Sequence, residues 1–388
     1  MPDPRTPLRW RALAVQALLI LALAALAYLA ASNAAQKLAR QGIVAGFGFL
    51  GRPAGFDIGQ SLIPYAAATA TYLDAFLVGL LNTLLVSGLA IGIATGLGFA
   101  VGIARRAENP LLRAFAAAYV ELFRNLPLLL QLLVWYVAVR VALPPASDPA
   151  ALGQAAFLSQ RGLFLPRPDF WGSAAAVPLA FGIGLAAVWL LVQARGRAVA
   201  LGKKPGPVLS LSALLCLGLP ALAWIGLALA GHPVPVAWPV RGPYDIEGGL
   251  AVRPEFAALL IGLSTYSAAF IAEIVRAGLD SVAQGQREAA AALSLSRAQA
   301  LRLVVLPQAM RVIVPPLTSQ YLNITKNSSL AVLIGYPDLV HVFMGTVLNQ
   351  TNQAVEVVSL TMAVYLTLSL VTALVMNRYN ARVAGSRA

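Results

Sequence analysis

Cysteine, histidine and acidic side chains are nearly missing from this chain of 388 residues, which holds 1 Cys, 2 His and 15 Asp plus Glu against 28 Lys plus Arg. The single cysteine, Cys216, excludes an intrachain disulfide; inside an apolar run it reads as a small packed hydrophobe and says nothing of redox compartment. His232 and His341 have no Cys, His or carboxylate at ligand spacing, so neither a metal site nor a Ser/His nucleophile is supported. Nucleotide chemistry is missing too. The run "GRAVALGKKPG" (196–206) superficially resembles a phosphate-binding loop, but five residues rather than four separate Gly196 from Gly202, and Lys204 stands where Ser or Thr is required. No catalytic residue, metal or cofactor is therefore expected on this chain. With 11% charged residues, it also has too little polar surface to cover a soluble globule of its size.

What is present is apolar sequence: 59% hydrophobic residues and a mean hydropathy of +0.76. A membrane-spanning helix needs roughly 20 such residues, and eight stretches qualify, at 12–31, 78–104, 114–139, 173–194, 208–231, 255–275, 312–335 and 356–376. The expected fold class is thus an all-α integral membrane protein with about eight transmembrane helices. The first stretch follows Arg5, Arg9 and Arg11 and ends in "AASNAA", which fits either a cleaved signal peptide or an uncleaved anchor. Gly88, Gly92, Gly96, Ala100 and Ala104 recur every four residues and predict a small-residue face for close helix packing.

Lysine and arginine counts orient the chain. With the N-terminus inside, 18 of the 28 lie on the cytoplasmic side, among them Arg105, Arg106, Arg197, Lys203, Arg287, Arg297 and Arg378. Eight lie opposite (Lys37, Arg40, Arg52, Arg140, Arg161, Arg167, Arg241 and Arg253), and Arg124 and Lys326 fall within helices. Both termini are then cytoplasmic, as is the segment 277–311. The net charge of +13 reads as this topology signal plus attraction to anionic lipid, not as nucleic-acid binding.

That cytoplasmic segment contains "GQREAAAALSLSRAQALRLVVLPQAM" (285–310). A helix from Gln286 places Arg287 and Glu288 beside Ala289 to Ala292, a surface with almost no side-chain bulk. Ser296 with Gln299 three residues on predicts a capping box and a second short helix through Arg302 to Leu306. Pro307 then redirects the chain toward the membrane. Read from these features alone, the segment is either a docking surface for a partner backbone or an amphipathic connector lying on lipid.

The stretch "EAAAALSLSRAQALRLVVLP" resembles the EAA loop of type I ABC importer permeases. Glu288, Ala289, Ala290, Val304, Leu306 and Pro307 match that pattern, and Ser294 departs from it by occupying the glycine position. The stretches "FLVGLLNTLLVS" (76–87), "YVELFRNLPLLLQL" (119–132), "TYSAAFIAEIVRAGL" (265–279) and "YLNITKNSSLAVLIGYPDL" (321–339) are similar to the polar amino-acid branch of these permeases. "GFDIGQSLIPY" (55–65) and "RGLFLPRPDF" (161–170) are similar to the Q-type permease subunit of bacterial general L-amino-acid importers.

The resemblance implies a type I ABC importer permease fold with a cytoplasmic EAA coupling helix, a binding-protein-dependent import function for L-amino acids, and a place in the bacterial inner membrane. It implies an N-terminal anchor and periplasmic segment (1–77), a permease domain (78–380) carrying an inserted helix pair at about 173–231 and the EAA loop at 277–311, and a tail (381–388). Arg287, Glu288, Ala289, Ala290, Ala292, Ser294, Leu306 and Pro307 become the residues of ATPase coupling. The implied partners are a cytoplasmic ABC ATPase dimer, which binds ATP and Mg, a second permease that is a paralogue, a periplasmic amino-acid-binding protein and membrane lipid. Since no nucleotide site lies on this chain, hydrolysis is expected on the separate ATPase.

Charges inside the apolar stretches are the remaining candidates. Each costs on the order of 3 kcal/mol at mid-membrane and belongs on an interior or a cavity. Glu121 with Arg124, and Glu273 with Arg276, share a three-residue spacing that suits an ion pair, either structural or gating, or a direct substrate contact. Lys326 lies among Asn323, Thr325, Asn327, Ser328 and Ser329. This group is either an interhelical hydrogen-bond network or a wall of the translocation path whose ammonium attracts an amino acid's carboxylate. Pro315 and Pro316 in the same stretch free backbone groups and predict bending.

Overall fold

A computed structural model describes the backbone of residues 13–19, 21–22, 25–26, 28–29, 32–33, 46–153, 155–170, 172–200, 211–212, 214–242 and 246–384. It forms two units, one from residues 1–138 with 255–388 and one from residues 139–254. The lysine-rich run at 203–204 and the arginines at 5, 9, 11 and 387 lie outside the described residues.

In the first unit a 3-10 turn, Phe47–Gly51, precedes helix α1, Tyr72–Ala104. A capping box starts α1 ahead of the expected boundary: Asp74 N–H donates to Thr71 Oγ1 at 3.3 Å, and Thr71 N–H donates to Asp74 Oδ2 at 2.8 Å. Phe49, Ala54 and Ile58 of the upstream segment share a core with Tyr72, Ala75 and Val78 of α1 and with Leu339, Phe343 and Val357. Asn82 Nδ2 fastens the same segment by donating to Gln60 O at 2.9 Å.

The expected single span over 114–139 is instead two helices, α2 (Pro110–Asn125) and α3 (Leu128–Ala142), bent by 109°. Pro127 is the cause. It has no N–H to give a continuing helix and restricts the preceding residue, and Leu126 is extended at φ −96° and ψ 133°. The break orphans carbonyls at the end of α2. Buried Gln131 satisfies two of them, its Nε2 donating to Phe123 O and to Leu126 O, each at 2.9 Å.

After the second unit the chain continues through α6 (Pro254–Asp280), α7 (Gln284–Ala292), α8 (Arg297–Ala300), a π-helical stretch (Leu301–Val305) and α9 (Leu306–Asn327). α9 runs through Pro315 and Pro316 as one helix and passes into a 3-10 stretch, Ser328–Ile334. A π-helical stretch (His341–Val347), α10 (Leu348–Thr351) and α11 (Ala354–Ala384) complete the unit. Among the described residues, four helices are long and apolar enough to cross a membrane, within Tyr72–Ala104, Pro254–Asp280, Arg297–Ile334 and Ala354–Ala381, and the bent pair makes five. The first expected stretch is helical at each described residue from 13 to 33.

The second unit adds short strands to a chain that is mostly helical, as expected. It carries a four-stranded antiparallel sheet in the order β1 (Ala150–Leu152), β2 (Ala156–Ser159), β3 (Gly162–Leu165) and β8 (Leu250–Val252). Two smaller pairings join β4 (Arg167–Pro168) to β5 (Val236–Ala237) and β6 (Val240–Arg241) to β7 (Ile246–Glu247). Strands of this length are too short to display an alternating pattern, so the sequence hides them. Between them lie α4 (Ala176–Ala200) and α5 (Leu219–Leu229), at the place expected for an inserted pair; the apolar helices there, Gly172–Val188 and Leu214–Leu229, are shorter than the four long spans.

The expected small-residue face of α1 is also corrected. Among the described residues, nothing lies within 4 Å of where a Cβ would stand on Gly88, Gly92 or Gly96, whereas Gly98 and Gly102 form the close face. A Cβ on Gly98 would lie 2.5 Å from Ile271 Cγ2, and one on Gly102 would lie 2.7 Å from Ala272 O. Period-four glycines mark one side of a helix but not which side meets a neighbour.

Candidate functional site

The corner between α7 and α8 is built by local rules. α7 ends in a residue of positive φ, Ser294 at 55°, with Ser294 N–H donating to Ala291 O at 2.9 Å and Leu295 N–H to Ala290 O at 3.1 Å. This is the two-bond C-terminal motif that normally uses glycine. Serine adopts it at a cost of about 1 kcal/mol. The predicted capping box is present: Gln299 N–H donates to Ser296 Oγ at 3.3 Å and Ser296 N–H to Gln299 Oε1 at 2.9 Å. Serine at the glycine position thus keeps the left-handed corner, and the Ser296 cap follows directly after it.

Helix phase divides the expected coupling residues. Glu288, Ala289 and Ala292 are exposed, and Glu288 accepts from Gln284 Nε2 at 2.9 Å. Leu293, 75% exposed, extends this face with a large apolar side chain that the motif does not single out. Ala290 is instead 2% exposed, and half-buried Arg287 turns back, its Nη2 donating to Leu279 O at 2.6 Å near the end of α6. Leu306 and Pro307 start α9, where Gln308 Nε2 donates to Gln286 Oε1 of α7 at 3.1 Å.

Arginines gather beside this corner. Arg105 pairs with Glu273, Arg106 pairs with Asp280, and Arg276 bridges Glu273 at 2.5 Å and Asp280 at 2.7 Å. The expected Glu273 and Arg276 pair is thus one part of a network between the ends of α1 and α6. Arg106 is held below the usual arginine range by burial and by the guanidinium groups of Arg287 and Arg276. Arg297 of α8 pairs with Glu108 in the turn after α1. The expected Glu121 and Arg124 pair is not formed. Glu121 accepts from Asn125 Nδ2 at 3.4 Å, while Arg124 lies 5.3 Å from the centre of the Phe270 ring, an attraction that suits a cation in an apolar setting.

The polar group around Lys326 splits into two faces of α9. Thr325 and Ser328 are buried and bond to their own helix, Thr325 Oγ1 donating to Tyr321 O at 3.0 Å and Ser328 Oγ to Thr325 O at 2.8 Å. Asn323 and Lys326 are exposed, aligned with exposed Ser319, Pro315 and Pro316. Half-buried Asn327 and Ser329 lie between, and Ser329 Oγ donates to Lys326 O at 2.7 Å.

A second polar centre, which sequence reasoning missed, joins the stretches 76–87 and 321–339. Fully buried Asp338 accepts from His341 N–H at 2.8 Å and from Tyr365 Oη–H at 3.2 Å. Thr83 Oγ1 accepts from Leu339 N–H at 3.0 Å, Asn82 Nδ2 donates to Pro337 O at 2.9 Å, and Tyr336 Oη–H donates to Asn82 O at 3.1 Å. Burial raises Asp338 to about 7, against the lowering effect of its bonds to the His341 amide, the Tyr365 hydroxyl and the Val340 amide. The signal that could have found it is the pair Asn82–Thr83 in an apolar run and the lone carboxylate of "YPD".

Several long apolar helices, a polar face on α9 and an arginine-rich corner fit a membrane-embedded component. Residues 92–385 match the family described as binding-protein-dependent transport system inner membrane component, and the chain belongs to that family. It is similar to the putative amino-acid ABC transporter permease protein YhdX of Escherichia coli (strain K12), at 47% identity over 91% of this chain and 88% of that one. It is similar also to the general L-amino acid transport system permease protein AapQ of Rhizobium johnstonii (strain DSM 114642 / LMG 32736 / 3841), at 45% identity over 99% and 94% of the two chains. Among solved structures it resembles a chain of one described as an amino acid ABC transporter with histidines, with TM-score 0.46 and 21% identity over 80% of this chain and 95% of the other.

Proposed function

We propose that the chain is a permease subunit of a binding-protein-dependent ABC importer for L-amino acids, with both termini in the cytoplasm and α7 as the helix that receives the stroke of a separate ATPase. The observation that carries the reading is the similarity over nearly the full chain to permeases of amino-acid importers. The partners are an ATPase dimer binding ATP and Mg, a binding protein on the opposite side, and a second permease, for which a paralogue is the favoured form. The 18 to 8 charge asymmetry supports this orientation.

Within this reading the outward face of α7 and the corner after it, Glu288, Ala289, Ala292 and Leu293, docks on the ATPase. Alanines let the surfaces approach, Glu288 supplies a fixed charge, and Leu293 supplies an apolar anchor. Asn323 and Lys326, exposed on α9, line the path between the two permeases, and the ammonium attracts the carboxylate that every amino acid carries. Buried Thr325 and Ser328 serve the fold where α9 passes into the 3-10 stretch.

The test is uptake of labelled L-amino acids into proteoliposomes holding the assembled importer, with ion gradients clamped. Uptake is expected to require both the binding protein and an active ATPase, and to fall with Lys326→Met while the complex still assembles and hydrolyses ATP. Uptake that persists with the ATPase inactivated would instead indicate an ion-coupled carrier.

A further inference from the structure

Two sets of contacts link α1, α6 and α7, one polar and reaching α7, the other steric and confined to α1 and α6. The first is polar: Arg287 Nη2 holds Leu279 O, Arg106 holds Asp280 one residue further on, Arg105 holds Glu273, and Arg276 spans both carboxylates. The second is steric. Gly98 and Gly102 bring the backbone of α1 against Ile271, Ala272 and Val275 of α6, so closely that added Cβ atoms would lie 2.5 to 2.7 Å from the nearest atoms. Helices in such contact cannot slide without repacking.

We propose that Arg106 and Arg287 are positioning residues that join α1, α6 and α7 into one body, so that a displacement delivered to α7 reaches α1 as well as α6. The proposal rests on the reading of α7 as the coupling helix. Without Arg287 the short reach from Asp280 to Ala283 is a hinge, and α7 can pivot while α6 stays in place. Without Arg106 the end of α1 is held to α6 by Arg105 and by the glycine face but loses its tie beside α7. The two arginines touch no substrate; they act through α6.

The assembled importer in proteoliposomes, with ATPase and binding protein, gives the test as ATP hydrolysed per L-amino acid imported. Arg106→Gln and Arg287→Gln are expected to raise that ratio by about fivefold or more, the lower end of couplings between linked sites, with the complex intact. Arg106→Lys, which can still pair with Asp280, is expected to stay near the parent ratio. In a Cys216→Ala background, joining Arg106→Cys to Asp280→Cys with a short bis-maleimide is expected to preserve coupled uptake, because the two helices move together. Blocked uptake in the joined protein, or unchanged ratios in both glutamine variants, overturns the proposal. Ala289→Trp run alongside separates the two readings. If it uncouples and the glutamine variants do not, α7 is the coupling helix and the clamp is wrong; if none uncouples, both fall.

Discussion

The two ends of the larger unit hold their helices together by different polar chemistry. Beside α7, Arg105, Arg106, Arg276, Glu273 and Asp280 keep between 17% and 38% of their side-chain surface exposed. Around Asp338 the side chains of Asn82, Thr83, Tyr336 and Asp338 are all fully buried and joined by hydrogen bonds, with neutral partners in place of a cation among the described residues. Charge pairs within reach of water exchange partners at little cost, about 0 to 1 kcal/mol each. A buried network is costly to open because every freed group loses both partner and solvent. The arginine end therefore depends on the close packing beneath it as well as on its charge pairs, whereas the Asp338 end is a fixed seat for α1 and α11.

The contrast can be broken first at the packing beneath the arginines. Gly102→Leu is expected to destabilise the purified chain by about 1 to 3 kcal/mol or more through overpacking on Ala272 and Val275, while Gly92→Leu, on the open face of α1, changes it by less than about 0.5 kcal/mol. Thermal unfolding in detergent measures both, and equal losses would remove the distinction between the two glycine faces.

Titration sharpens the other end. Asp338 is raised from its ordinary 3.8 to about 7, so the folded chain holds a proton that the unfolded chain releases. Its contribution is fully present below about pH 4 and is lost as pH rises through about 7, a tenfold change in proton affinity being worth about 1.4 kcal/mol. Asp338→Asn, which resembles the protonated acid, is expected to flatten melting temperature against pH between 4 and 7 and to be the more heat-stable form above 7. An unchanged slope in the variant would deny the buried seat.

The smallest expected effect is at the corner. Ser294→Gly is expected to stabilise it by about 1 kcal/mol by relieving the left-handed serine, read as greater amide-exchange protection in α7. Loss of protection would mean that the serine side chain itself holds the turn.

How much of this was legible in the sequence depended on range. The long apolar helices and the Ser296 capping box follow from residues close in sequence and were readable. Pro127 was visible, but the 109° bend required knowing that Gln131 would take up the orphaned carbonyls. Ala290 and Arg287 sit in the recognised motif, yet their inward direction depends on how α7 is rotated against α6, which no local pattern encodes. The pairs Arg105 with Glu273 and Arg106 with Asp280 join distant parts of the chain, and two adjacent arginines near a helix end look like a topology signal alone. Asp338 is hidden because a single carboxylate after a proline resembles a turn.

The exposed face of α7 is the surface proposed to receive the work of an ATPase. The most direct measurement is the number of ATP molecules hydrolysed per L-amino acid imported by the reconstituted complex carrying Ala289→Trp, an outward substitution that spares buried Ala290. The expected result is an assembled membrane complex in which the ATPase is weakly bound or hydrolyses without import, so that the ratio rises severalfold. A parent ratio with full ATPase binding and full uptake would contradict it.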